Sequence, residues 1–194
     1  MKDNTNEHKE KGLLFQLDEE HYNELSSYLI EIKYKKNQFL LKEGDFCKHV
    51  GFLKKGVVRS YYLNDNGCEI NFNFYFDNHL FSDYESFLCN MDSKINIQAM
   101  EDSDILLLSK HDLETLYQKE DYWREFGRKI TGIMYFETKK RFEDLLYLSP
   151  EQRYNNLFSE YPKIFQSIAL KHIASYLGIK PQSLSRIRSR SIKR

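Results

Sequence analysis

The chain has 194 residues, 41% apolar and 30% charged, with 29 basic and 29 acidic side chains. This allows one large domain or two small ones, and no apolar run approaches the roughly 18 residues that a membrane-spanning helix needs. Cys47, Cys68 and Cys89 are an odd number without a close pair, which argues against a disulfide framework or an iron–sulfur site and for a reducing, cytoplasmic setting.

Residues 1–12 read as a mobile polar leader with no secretory h-region. From Leu13 to Ile30 the spacing of Leu14, Leu17, Leu25, Leu29 and Ile30 predicts a short helix with one buried face. From about Ile32 to Leu108 the texture changes to short β-type runs: Gln38–Leu41, His49–Leu53, Val57–Leu63, Glu69–Phe76, Asn96–Met100 and Asp104–Leu108. The stretch Asn64-Asp65-Asn66-Gly67 is a hairpin signal, because Asn and Gly tolerate positive φ. Ile70, Phe72, Phe74 and Phe76 alternate with Asn71, Asn73 and Tyr75, so one face of that strand is expected to be buried. Short strands at this spacing indicate a barrel or a sandwich.

Helical texture returns at His111–Tyr117, and a proline-free segment then runs from about Tyr122 to Leu148. Its apolar stripe includes Trp123, Phe126, Ile130, Ile133, Met134, Phe142, Leu145 and Leu146. Such a helix would be about 40 Å long, too long to pack wholly on one small barrel. Pairing with a second copy through Phe126, Ile130, Ile133 and Met134 is therefore expected, although Gly127 and Gly132 interrupt the heptad. Ser149-Pro150-Glu151-Gln152 opens a further helix, with Ser149 as N-cap, Pro150 at N1 and Gln152 placed to complete a capping box. Tyr161-Pro162 ends it. The expected organisation is a leader (1–12), a β sensor domain (13–118), a dimerisation helix (119–148) and a helical C-terminal domain (149–194).

The zero net charge hides an asymmetry. After Glu160 there are eight basic residues and no acidic one, so the rest of the chain is net negative by the same amount. A one-sided split of this kind suggests that the C-terminal segment meets a polyanion. Residues 170–188 are patterned to do so. Leu170, Ile173, Ala174 and Leu177 face inward, Gly178 stands where a helix stops in the left-handed conformation, and Pro181 opens a second helix that buries Leu184 and Ile187. This is helix-turn-helix design with a polar, basic second helix. Arg186 suits guanine and Gln182 suits adenine, with Ser185 beside them as a further base-reading position. Lys171, His172, Lys180, Ser183 and Arg190 are expected at the DNA backbone, while Arg188 is open to either surface.

The order β-domain, long helix, helix-turn-helix resembles the bacterial Crp/Fnr (catabolite-activator-like) transcription regulators from about residue 15 onward. The resemblance is carried by Gly44-Asp45, Lys55-Gly56, Asn66-Gly67 followed by Glu69, and Ile173-Ala174 through Leu184-Ser185-Arg186. It implies an α+β chain: an N-terminal antiparallel β-roll of the cyclic-nucleotide-binding jelly-roll type, a long dimerisation helix and a C-terminal helix-turn-helix domain. The implied partners are a second copy and a palindromic double-stranded operator, with RNA polymerase as a candidate partner and no membrane. By the same resemblance Gln182 and Arg186 fall at base-contact positions and Ser183 at a phosphate-contact position.

The sensor departs from the family's phosphate cassette, which offers Gly-Glu and then Arg-Ser or Arg-Thr. Here the matching stretch is Phe81-Ser82-Asp83-Tyr84-Glu85-Ser86-Phe87, and the Arg-Ser pair falls near Ser93-Lys94. Lys94 supplies charge without a bidentate fork, and Asp83 and Glu85 repel an anion. cAMP is therefore not expected to bind tightly. No cofactor is predicted, and the effector is left open. A pocket for it is expected around Phe72, Phe74, Asp83, Tyr84, Glu85, Ser86 and Lys94. No metal-ligand spacing, nucleophile arrangement or Gly-rich phosphate loop is present, and a cupin-like enzyme would need His-x-His. The competing reading is a small-molecule-binding barrel whose helical tail engages a protein.

Overall fold

The computed structural model describes residues 17–162 and 164–191. The expected leader, together with Leu13, Leu14 and the basic residues Lys163, Lys193 and Arg194, lies outside them. The chain divides into two compact units, one running up to Tyr62 and resuming over Phe72–Thr115, the other formed by Leu63–Asn71 and everything from Leu116 onward. The second unit thus takes in a segment from within the strand region.

The first unit opens with α1 (Glu19–Ser26), capped by the Asp18 carboxylate, which accepts from the His21 backbone N–H at 2.9 Å. The helix is shorter than its periodicity predicts. Leu29 and Ile30 lie beyond it, and Ile30 begins β1 (Ile30–Tyr34) opposite Leu107, where it is 56% exposed. Non-local strand pairing overrides the local helical spacing here. The remaining strands are β2 (Phe39–Leu41), β3 (His49–Lys55), β4 (Val58–Leu63), β5 (Glu69–Tyr75), β6 (Leu80–Phe81), β7 (Asn96–Ala99) and β8 (Ser103–Ser109). A short α2 (Tyr84–Cys89) lies between β6 and β7. They form two four-stranded sheets in the orders β1-β8-β3-β6 and β2-β7-β4-β5, with antiparallel pairing throughout the registered pairs. Leu53, Val58, Phe87, Ile97 and Ile105, all 3% exposed or less, lie in the core cluster.

The expected alternation along β5 is not kept: Tyr75 is buried at 8% beside Phe74, and at the start of the strand the pattern is reversed. Ile70 is 47% exposed, whereas Asn71 is buried at 2%. Glu69–Asn71 belongs to the second unit, where the Asn71 N–H donates to the Ser175 hydroxyl at 2.9 Å. The Asn71 side chain thus turns inward in place of Ile70, while its backbone N–H is paired with Ser175.

The helices that follow are α3 (Lys110–Lys119), α4 (Asp121–Tyr147), α5 (Pro150–Glu160), α6 (Ile164–Ser167), α7 (Leu170–Tyr176) and α8 (Pro181–Ser191). None of the described helices is long and apolar enough to cross a membrane. Gly127 does more than interrupt a heptad, because a Cβ there would lie 2.1 Å from the Tyr117 hydroxyl. Its missing side chain lets α4 pass the end of α3. The capping box at Ser149 forms in full. The Ser149 Oγ accepts from the Gln152 N–H at 3.3 Å, and the Gln152 Oε1 accepts from the Ser149 N–H at 2.9 Å. Replacing Ser149 by Ala should lower the stability of the second unit by about 1 kcal/mol, read as a fall in its calorimetric transition. An unchanged transition would mean that the cap contributes nothing there.

Candidate nucleic-acid interface and sensor site

The interface is built on the junction of α7 and α8. Ile173, Ala174, Leu177 and Leu184 are each 2% exposed or less, and Ile187 is also buried, so both helices close on a common apolar seam. The turn between them is a Schellman motif. The Gly178 N–H donates to the Ser175 carbonyl at 3.0 Å, the Ile179 N–H donates to the Ala174 carbonyl at 3.0 Å, and Gly178 has φ of +66°. Pro181 then begins α8 at the position where its fixed φ and missing N–H cost nothing.

That seam leaves the other side of α8 to solvent. Gln182, Ser183, Ser185, Arg186 and Arg190 are exposed, as are Lys171 and Lys180 on the flanks, and no acidic residue occurs on α7 or α8. The Ser185 hydroxyl donates to the Pro181 carbonyl at 3.1 Å, which leaves its lone pairs as the free function. Arg188 is half-buried, with its guanidinium 5.6 Å from the centroid of the Phe165 ring. His172 corrects an expectation. It is buried at 8%, and its Nδ1 lies 3.3 Å from the Glu69 carboxylate, so packing rather than a phosphate occupies it.

The C-terminal end of α7 is held by groups that no sequence period announces. Ser175 bridges to β5 by accepting from the Asn71 N–H and donating to the Glu69 carbonyl at 3.1 Å. Arg141 of α4 donates to the Tyr176 carbonyl at 2.9 Å and the Asn71 carbonyl at 3.3 Å, with its guanidinium 3.7 Å from the centroid of the Tyr176 ring. Burial is the largest influence on Arg141 and lowers its pKa, which still leaves a guanidinium charged at neutral pH. Arg153 of α5 donates to the Leu177 carbonyl at 3.1 Å and to the Leu148 carbonyl just beyond α4 at 2.5 Å. Helix C-termini expose unsatisfied carbonyls and a partial negative charge, so two arginines suit this place.

On α4, Trp123 is buried, and Phe126, Ile130, Ile133 and Met134 are half-buried within the single chain. Tyr135, Phe136, Phe142 and Leu146 are each more than 60% exposed and lead down the helix towards Tyr147, at 81%.

In the first unit the stretch expected to form the effector pocket satisfies itself. Asp83 caps α2 by accepting from the Ser86 N–H, and its other oxygen accepts from the Ser93 hydroxyl at 2.7 Å. The Ser86 hydroxyl accepts from the Cys47 N–H at 3.0 Å and donates to the Met91 carbonyl at 2.6 Å. Glu85 and Lys94 form an exposed ion pair at 3.0 Å. Phe74 is buried at 5%, Phe72 packs edge-on against Tyr62 with centroids 5.8 Å apart, and Tyr84 packs against the core. A cavity of about 530 Å³ in this unit is lined by other residues, among them Ile32, Leu41, Phe81, Ile97 and Leu107. None of the residues expected to form the effector pocket lines this cavity, and Asp83 and Glu85 are bonded to Ser86, Ser93 and Lys94. Among the described residues no group of three or more His, Cys, Asp or Glu is placed to hold a metal ion.

A two-sheet antiparallel unit, one long helix and a helical tail ending in paired helices define the class of fold. Residues 31–120 match the family described as the cyclic nucleotide-binding domain. No curated protein matches the chain by sequence. Solved structures do match it. A transcriptional regulator assigned to the Crp/Fnr family from Eubacterium rectale aligns with TM-score 0.70 at 21% identity, covering 93% of this chain and 87% of that one. FixK2 from Bradyrhizobium japonicum aligns with TM-score 0.69 at 18% identity, covering 84% and 83%. The c-di-GMP responsive global regulator CLP of Xanthomonas campestris aligns with TM-score 0.69 at 12% identity, covering 91% and 92%. Residues 31–120 are thus a cyclic-nucleotide-binding-type domain, and the chain as a whole has the fold of Crp/Fnr regulators.

Proposed function

We propose that the protein is a homodimeric, sequence-specific DNA-binding transcription regulator whose β unit responds to an effector other than cAMP. The observation that carries this reading is the α7–α8 pair: a buried seam and a Schellman turn present an α8 face that is exposed, basic and free of acidic residues. A helix so presented fits the major groove, with Gln182, Ser185 and Arg186 towards the bases and Lys171, Lys180, Ser183 and Arg190 towards the phosphates. Phe126, Ile130, Ile133 and Met134 of α4 pair with a second copy, and the exposed aromatic residues further along extend that surface. Dimerisation places two α8 helices on half-sites about one DNA turn, roughly 34 Å, apart. The cassette supports the effector clause, since Asp83 and Glu85 are held in place as acidic groups and no arginine stands between 81 and 94.

The test is selection from a randomised duplex pool, with wild type and Arg186→Ala. A two-fold symmetric site should enrich, and the variant should lose about 1–3 kcal/mol per half-site together with discrimination at one base position. No enrichment at low salt would overturn the DNA reading.

A further inference from the structure

The first unit carries two adjoining concavities that share Ile32 and Tyr34 and together make one trough. The more enclosed of the two, at about 530 Å³ like its neighbour, falls in the range of small-molecule sites, about 300–1,000 Å³. Its floor is hydrocarbon: Leu41, Phe81, Ile97 and Leu107. Two of the polar groups beside it are already bonded within the chain. The Cys47 thiol and the Ser82 hydroxyl both donate to the His49 carbonyl, at 3.4 and 3.2 Å. The flank leaves apolar surface in water that the fold does not cover, with Ile30 at 56%, Phe46 at 53% and Ile32 at 37% exposed.

The rim has a different chemistry. Lys42 and Lys48 line the trough, both are exposed, and neither has an ion-pair partner among the described residues. Lys42 only leans over the Phe39 ring, at 5.2 Å from its centroid. Lys33, also on the rim, is 4.0 Å from Asp104. Asp45 is the one carboxylate among the residues lining the trough, so the rim is net positive. A ligand that fits must therefore be apolar along its length and anionic at one end.

We propose that this trough is the effector site and that its ligand is a free, unbranched fatty acid, the alkyl chain lying on the Leu41–Leu107 floor and the carboxylate meeting Lys42 and Lys48. The assignment rests on the reading of the β unit as a sensor, and it replaces the cassette as the place where the effector binds. A nucleotide would lay its polar base on the hydrocarbon floor of Leu41, Phe81, Ile97 and Leu107, which offers that base no hydrogen-bonding partner.

Displacement of the fluorescent fatty acid cis-parinaric acid from the full chain tests this, with no DNA present and every competitor below its critical micelle concentration. Octanoate, decanoate and dodecanoate should compete with affinity rising about fourfold per methylene, the fold-change that about 0.8 kcal/mol per buried CH₂ represents. The double variant Lys42→Glu/Lys48→Glu should bind dodecanoate at least fivefold more weakly and dodecanol unchanged. Ile32→Trp, on an exposed edge, should weaken both. Circular dichroism would establish that the variants fold. Absence of saturable displacement, or binding indifferent to head charge or to Ile32→Trp, would overturn the proposal. Because the readout uses no DNA, failure here leaves the duplex selection standing, and failure of that selection leaves this measurement unchanged.

Discussion

Replacing Arg141 by alanine is expected to destabilise the second unit by about 3–4 kcal/mol. The guanidinium serves two carbonyls, of Tyr176 and Asn71, and stacks on the Tyr176 ring. Hydrogen bonds from charged donors contribute about 1.5–3 kcal/mol, and a desolvated cation–π contact adds up to about 2. Removal also leaves the last carbonyls of α7 with one arginine instead of two, next to the turn that aims α8. Arg141→Lys should recover less than half of the loss, because an ammonium cannot lie flat on the Tyr176 ring. Denaturant unfolding of the full chain measures this. A change below about 1 kcal/mol for Arg141→Ala would show that water takes over both carbonyls. Duplex affinity of the same variant, measured where it is still folded, should fall as well, since α8 is oriented through the end of α7.

The second large effect is the salt dependence of duplex binding. Lys171, Lys180 and Arg190 are exposed cations around α8, and the proposed dimer would double their number. With about six to eight phosphates neutralised, affinity should fall roughly 10³–10⁴-fold between 50 and 200 mM salt. Lys171→Ala should reduce the slope of log K against log[salt] by about 2 in the dimer, one contact per half-site, and weaken all sequences alike. Arg186→Ala should leave more of the slope and relax the sequence preference instead. The two variants therefore separate affinity from readout. A flat slope would point to a protein partner for the helical tail in place of a polyanion.

Much of this molecule is written locally. The capping box at Ser149, the left-handed Gly178, Pro181 at the head of α8 and the buried Leu184 and Ile187 are each dictated by a few neighbouring residues. The hairpin at Asn64–Gly67 behaves likewise, with Gly67 at φ of +71°. A backbone requirement met by one residue type, or an apolar period within one helix, survives without knowledge of the rest of the chain. β1 and the end of α1 are not legible locally for the opposite reason, since the register of Ile30 against Leu107 joins residues far apart in sequence.

The same distinction runs through the sites. By itself the sequence determined the order of the strand region, the long helix and the paired C-terminal helices, the basic and acid-free C-terminal segment, and a stretch at 81–94 that holds no arginine. Only the tertiary structure decided that His172 is packed beside Glu69 and not free for a phosphate, and that Arg141 and Ser175 hold the end of α7. It also decided that Asn71 is buried while Ile70 is not, and that the trough along β1 is lined by none of the residues from Asp83 to Lys94. Periodicity and composition report what a side chain prefers on average. Burial, charge pairing and empty space depend on which distant segment arrives beside it, and that is settled by packing the whole chain.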